Sequence, residues 1–147
     1  MINEFKGKYF FLSNFYNAQV EYEGLLYKNN EAAFQSAKVV DMERRKQFCK
    51  LDPSTAKRKG RNVTLRHDWE QIKDKVMEDC VRDKFTRNEE LRQRLLDTGD
   101  EELVEGNVWG DQYWGVCRGR GKNMLGKILM RVREELKEWI KILNLGP

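Results

Sequence analysis

Apolar and polar positions alternate in two short runs, Gln19-Val20-Glu21-Tyr22 and Leu25-Leu26-Tyr27, separated by Glu23-Gly24. Alternation on either side of a glycine-containing turn predicts a β-hairpin. Ahead of it, Lys8 to Tyr16 is dense in aromatics and ends in turn-forming residues, which predicts a strand running into a loop. Beyond the hairpin the period becomes helical. Asn30 is expected to cap a helix reaching Lys38, Asp41 one over Met42 to Leu51, and Asp52-Pro53 one over Ser54 to Lys59. Asp68 is expected to cap a long helix from Trp69 to Phe85. Asn88 opens another through Leu91, Leu95 and Leu96, which Thr98-Gly99 ends. Leu103-Val104 reads as a short strand. From Met124 to Leu143 apolar residues recur at three and four, a core helix with Asn123 as its cap. The expected fold is α+β: a mainly helical single domain over residues 1–147 with a small antiparallel sheet.

Composition narrows the class. A chain of 147 residues suits one domain with one core. Lys and Arg number 28 against 24 Asp and Glu, a net charge of +4. That is a mild bias toward anionic ligands and falls short of a nucleic-acid-binding signature. The amino terminus carries no signal-like apolar region and no run approaches a membrane span, so a soluble, cytoplasmic protein with no membrane partner is expected. Cys49, Cys80 and Cys117 are odd in number and far apart, which suits reduced thiols rather than a disulfide framework or a zinc knuckle. His67 is the single histidine, and no ligand cluster suggests a metal. Neither a metal nor a cofactor is expected.

Within this picture the segment Asn30 to Lys38 carries the candidate chemistry. At helical spacing Glu31, Gln35 and Lys38 share one face, bordered by Phe34. An acid, an amide and an amine on an apolar edge serve either a pocket or a solvated surface stripe. Downstream, Lys57-Arg58-Lys59-Gly60-Arg61 places four cations in five positions, either a phosphate seat or a solubilising helix end. Trp69 either closes a pocket or packs in the core. The sixteen residues from Gly106 to Gly121 are rich in glycine and aromatics, suited to a site wall or to a hairpin tip with buried rings. Gly121-Lys122-Asn123 leads into a helix N-terminus, a candidate anion seat. Gly126 in that helix implies close approach of another backbone or a ligand.

Six ordered blocks then carry a resemblance. These are Phe11-Leu12-Ser13-Asn14-Phe15; Glu31-x-x-Phe34-Gln35-x-x-Lys38; Trp69 with Lys73 and Met77; Thr98-Gly99-Asp100 with Leu103-Val104-Glu105; Asp111-x-x-Trp114-Gly115; and Gly121-x-Asn123-x-Leu125-Gly126-x-x-Leu129-Met130-x-Val132-Arg133. Together they resemble the NADAR (YbiA-like) family over nearly the whole chain. The resemblance implies an N-glycosidase that cleaves a ribosyl C–N bond. Two substrate classes go with it: phosphoribosylamino-pyrimidine intermediates of riboflavin synthesis, and ADP-ribose on guanine, in a nucleoside or a nucleic acid. Cys117 stands where the family pattern expects a further glycine, and Trp109-Gly110 precedes Asp111 where many relatives differ. Those departures bear on substrate choice more than on reaction type.

Such a reaction develops oxocarbenium character and needs a proton for the leaving nitrogen. Glu31 is the expected proton carrier, Gln35 the amide that fixes a ribose hydroxyl, and Lys38 either a Schiff-base nucleophile or a bystander to direct water attack. Trp69 and Trp114-Gly115 are candidates for stacking on the substrate, Glu105 and Asp111 for orienting hydroxyls, and Arg58, Arg61 and Asn123 for phosphate. Two readings of another class compete: a non-catalytic module binding ADP-ribose or a nucleotide, and a helical protein binding nucleic acid through its basic surface. Oligomeric state, and whether the chain acts against an associated ADP-ribosyltransferase toxin, are left open by the sequence.

Overall fold

The hairpin forms as its alternation requires. Strands β1 (Asn17–Tyr22) and β2 (Leu25–Asn29) pair antiparallel, with Val20 opposite Tyr27 and Tyr22 opposite Leu25. Glu23 and Gly24 turn between them at positive φ, 46° and 91°. The computed structural model describes residues 1–144 in two units, Asn14–Glu89 and Met1–Ser13 with the chain from Glu90. The last three positions of the expected 1–147 domain lie outside the described residues.

In the unit Asn14–Glu89 the hairpin delivers the chain into α1 (Asn30–Ser36). The cap is Asn29 rather than Asn30: Asn29 is extended, φ −158°, and its side-chain oxygen accepts the Ala32 N–H at 2.8 Å. The preceding asparagine holds the β geometry a cap needs, so Asn30 becomes the first helical residue. All seven residues of α1 are buried. The helix ends two residues short of Lys38, whose N–H donates to the Gln35 carbonyl at 3.2 Å in a closing turn. The Ser36 hydroxyl meets the Tyr27 hydroxyl at 2.9 Å, tying the helix to β2.

Helix α2 (Met42–Lys46) carries the expected Asp41 cap but stops early. Its continuation toward Leu51 consists of i−3 bonds, Gln47 to Arg44, Phe48 to Arg45 and Cys49 to Lys46. The tight turns reach Leu51, whose N–H donates to the Phe48 carbonyl at 3.2 Å and whose own carbonyl accepts the Asn29 amide at 3.0 Å. Helix α3 (Pro53–Arg61) begins with Asp52 accepting the Thr55 N–H at 2.8 Å and proline in the first turn, as expected. Helix α4 (Trp69–Arg87) lacks the expected side-chain cap. Asp68 is instead engaged by the Arg66 guanidinium at 2.7 and 3.3 Å, and a charged donor two residues away outcompetes backbone N–H groups. Val76, Met77, Cys80, Val81 and Phe85 of α4 form the floor of this unit's core.

In the other unit the aromatic segment expected as a strand is a 3-10 helix, Gly7–Leu12. Phe11 and Leu12 are both buried whereas Phe10 is exposed, and adjacent burial fits a tight turn rather than alternation. Helix α5 (Glu89–Asp97) ends at Gly99, which has φ +64°. The end is held from α6 (Met124–Asn144), where Arg133 donates to the Thr98 hydroxyl at 2.8 Å and Lys137 to the Gly99 carbonyl at 2.9 Å. Leu103 forms a single parallel bridge with Ile2 in place of the expected strand. Residues 106–121 contain two short parallel strands, β3 (Gly106–Asn107) and β4 (Val116–Cys117). A Cβ on Gly126 would overlap the Leu103 carbonyl, so its bareness is required by a backbone, one of the two options the sequence left. No helix among the described residues is long and apolar enough to cross a membrane.

Candidate functional site

Glu31 sits in the first turn of α1 with 7% of its surface exposed. Its N–H donates to the Asn14 carbonyl at 3.1 Å, and the Gln35 amide donates to its Oε2 at 2.7 Å. The polar stripe expected on α1 is therefore interior, and the solvated-surface alternative is excluded. Burial pushes the carboxyl above its ordinary range, opposed by the Gln35 amide, then Lys57, then Lys38. Lys38 is half-buried just past the helix end, its Nζ 3.5 Å from the Gly60 carbonyl. Burial drives its pKa down, the Glu31 carboxylate resists, and Arg61 and Lys57 add to the fall. Desolvation thus moves both partners toward their neutral forms, an acid with a proton to give and an amine with a free electron pair.

The walls come from α3 and α4. Gly60 packs against Gln35, and a Cβ there would overlap the Gln35 carboxamide. The Gln35 Oε1 is buried without a hydrogen-bond partner, as is the Asn30 Oδ1 nearby on the helix. An unsatisfied buried acceptor costs about 1–3 kcal/mol, a cost relieved when a hydroxyl or amine of a ligand donates to it. Asn30 in turn donates to the Asn14 side chain at 2.8 Å and to the Met77 sulfur at 3.5 Å. Trp69 is 5% exposed and lies tilted on Phe34, centroids 5.2 Å apart, so it backs α1. Of the basic cluster, Arg58 is exposed and leans on Thr55 at 3.4 Å, Arg61 is exposed beside Lys38, and Lys57 is half-buried with its Nζ 5.8 Å from the Phe15 ring centroid.

The remaining expected residues gather in the other unit. Asp111 Oδ1 accepts the N–H groups of Tyr113 at 3.0 Å and Trp114 at 2.9 Å. Glu105 accepts the Val116 N–H on its carbonyl at 2.8 Å and the Asn107 amide on its carboxylate at 3.0 Å. A side chain on Gly115 would overlap both Glu105 oxygens, backbone and side-chain. Trp114 meets Tyr113 edge-on, centroids 4.9 Å apart. The anion seat expected at the start of α6 does not form: the N–H groups of Lys122, Asn123, Met124 and Leu125 donate to the carbonyls of Gln112, Gly115, Tyr113 and Trp114. Nor does Asn123 cap the helix with its side chain. It bridges the Glu105 N–H and the Leu103 carbonyl, both at 2.9 Å, and sits at φ +53°. The loop satisfies its own backbone there, which removes the donors an anion would need.

The sequence placed Lys57 and Gly60 only within the basic run, Asn14 only within a block of the resemblance and Asn107 only within the glycine-rich segment, none with a role of its own at Glu31 or Glu105. Gly60 had a signal, a glycine in register with the cations of α3; the asparagines act through backbone atoms that spacing does not reveal.

Comparison with known proteins follows the same lines. The model of the NADAR domain matches residues 2–137. The chain is 39% identical over 128 residues to N-glycosidase YbiA of Shigella flexneri serotype 5b (strain 8401), covering 84% of this chain and 79% of that protein. It is 39% identical over 132 residues to riboflavin biosynthesis protein VVA0006 of Vibrio vulnificus (strain YJ016), covering 87% of this chain and 36% of that one. The NMR structure of the Escherichia coli protein YbiA superposes with a TM-score of 0.84 at 34% identity, covering 100% of this chain and 92% of that chain.

Proposed function

We propose, from the premise that the chain belongs to the NADAR domain family and is an N-glycosidase, that it hydrolyses the C1′–N bond of a phosphorylated N-ribosyl compound with Lys38 as a covalent nucleophile. The observation that carries the reading is the buried Glu31–Gln35 pair with a half-buried amine one turn on. The candidate substrates are a phosphoribosylamino-pyrimidine and ADP-ribosylated guanine. The name of the Vibrio relative, a riboflavin biosynthesis protein, supports the first.

In this scheme the ribosylamine opens: the C1′–O4′ bond breaks, O4′ takes the proton of Glu31, and the nitrogen becomes an iminium at C1′. Neutral Lys38 Nζ adds to C1′ and, now an ammonium, gives one proton to the Glu31 carboxylate. Glu31 passes that proton to the former base nitrogen, which leaves as the amine while Lys38 becomes the iminium. Water adds to C1′ and one of its protons returns to Glu31; the remaining hydroxyl proton passes to Nζ as the C1′–Nζ bond breaks, releasing the sugar aldehyde and the neutral amine. Gln35, which orients Glu31 through its amide, offers its unpartnered Oε1 to a ribose hydroxyl. Arg61 and Arg58 are the proposed phosphate contacts. The 1–147 chain is proposed to act as one catalytic domain in the cytoplasm, supported by a family match that runs through both units and by three free cysteines.

Side-by-side product analysis on the phosphoribosylamino-uracil and ADP-ribosylated guanosine tests the substrate. Release of ribose 5-phosphate from the first is expected, and activity confined to the second would reassign the substrate class. Borohydride added during turnover should leave a reduced sugar on Lys38. No adduct, together with near-normal turnover by Lys38→Ala, would leave direct water attack as the route. Changing Arg58 and Arg61 together to alanine should raise KM more than it lowers kcat.

A further inference from the structure

We propose that Lys57 is a positioning residue of this site: its ammonium supplies the counter-charge for the Glu31 carboxylate once that acid has given up its proton, which leaves Lys38 to stand as a neutral amine. This rests on the reading of Lys38 as nucleophile.

One contact of Lys57 itself and two of its neighbours place it. Gly60 brings α3 against the Gln35 carboxamide, and Lys57, three residues earlier, projects from the same face of α3. Its Nζ lies 5.8 Å from the Phe15 ring centroid, a cation–π contact that fixes a long side chain. Phe15 follows Asn14, whose carbonyl accepts the Glu31 N–H. The ammonium is thereby held at the aromatic ring, near enough to the Glu31 carboxyl to draw it down more strongly than Lys38 does.

Charge balance makes the rest of the argument. Once Glu31 has given up its proton, the carboxylate, out of water, requires one cation, and two lysines stand near it. Both protonated, they leave a surplus positive charge beside buried groups. The surplus is relieved at Lys38, whose largest influence is burial and which has a neutral carbonyl, Gly60 O, at its Nζ. The charged groups acting on Lys38 are Glu31 from α1 and Arg61 and Lys57 from α3. Arg61 acts on it more strongly than Lys57, but Arg61 is exposed and screened, whereas Lys57 is half-buried and its like charge acts on Lys38 with less screening. Arg66, ahead of α4, donates its backbone N–H to the Lys38 carbonyl at 2.9 Å while its guanidinium is committed to Asp68. A like charge beside a desolvated lysine is a known means of keeping an amine nucleophilic near neutral pH.

The test uses the full chain with Lys57→Met and Lys57→Arg. The pH dependence of Lys38 acetylation by acetic anhydride, read by peptide mass spectrometry, reports the amine without any substrate, and the pH profile of kcat reports turnover. In Lys57→Met the Lys38 labelling midpoint should move up by about one pH unit, slowing labelling about tenfold at neutral pH. The rising limb of kcat should move with it, and Lys57→Arg should restore both. An unmoved labelling midpoint overturns the proposal, whether KM rises, marking a substrate contact, or thermal stability falls, marking a packing role. A shifted midpoint alongside an active Lys38→Ala enzyme would uphold the role of Lys57 on Lys38 and remove Lys38 as nucleophile.

Discussion

Replacing Glu31 by glutamine preserves the shape of the acid and its bond from Gln35 while removing the proton. Turnover should fall by about 10²–10⁴-fold, the usual contribution of a general acid–base. Stability should move the other way. Burial raises the Glu31 pKa, so the native state holds the proton more tightly than the unfolded chain. The associated stability is complete below the unfolded value of about 4.3 and is lost as pH rises through the folded one. Glu31→Gln should therefore melt higher than wild type at pH 8, with the advantage shrinking toward pH 4; an equal melting temperature at pH 8 would count against the burial argument. The three residues of this stripe were legible because helical spacing alone brings them together. Lys57 was not, since four neighbouring cations look alike until Gly60 fixes which face of α3 meets α1.

Element pairs carry two further expectations. Gly60→Ala puts a methyl group where the Gln35 carboxamide lies, so Gln35 must swing off Glu31. A loss of kcat of about tenfold or more is expected with little loss of stability, because the displaced atoms end a flexible side chain; unchanged kcat would mean that Gln35 does not orient the acid. Gly115→Ala differs, since its Cβ would strike the Glu105 backbone carbonyl, which also holds the Val116 N–H. It should destabilise the protein by about 1–3 kcal/mol in urea titrations, as overpacking does. The helices read well from sequence where Asp52 and Asp41 cap them and less well where a charged neighbour takes the capping carboxylate, as Arg66 takes Asp68. The glycine-rich segment hid its organisation because Asp111, Asn107 and Asn123 bond to backbone atoms up to 20 residues distant.

For the molecule as a whole, the pH dependence of stability is expected to carry the mark of Lys84. This lysine is 1% exposed, with its Nζ 5.7 and 5.0 Å from the Tyr16 and Phe85 ring centroids. Burial lowers its pKa to about 7, against the pull of the rings toward the charged form. Between about pH 7 and the unfolded value of about 10.4, the unfolded chain holds a proton the native state has released, so stability rises with pH across that window. Lys84→Met should flatten the slope and gain on the order of a few kcal/mol near pH 7 relative to pH 10; a slope unchanged in the variant would show that other groups set it. By itself the sequence determined the α+β class, the hairpin, the order of the helices, and the order of blocks that marks the family, because these follow from local periodicity, turn chemistry and motif order along the chain. The tertiary structure decided the rest. It buried all of α1, turning a stripe that could have faced water into an acid and an amine driven toward neutrality, and it filled the expected anion seat at the start of α6 with the loop's own carbonyls. Burial and backbone satisfaction depend on what packs against each group in space, and periodicity is silent on both.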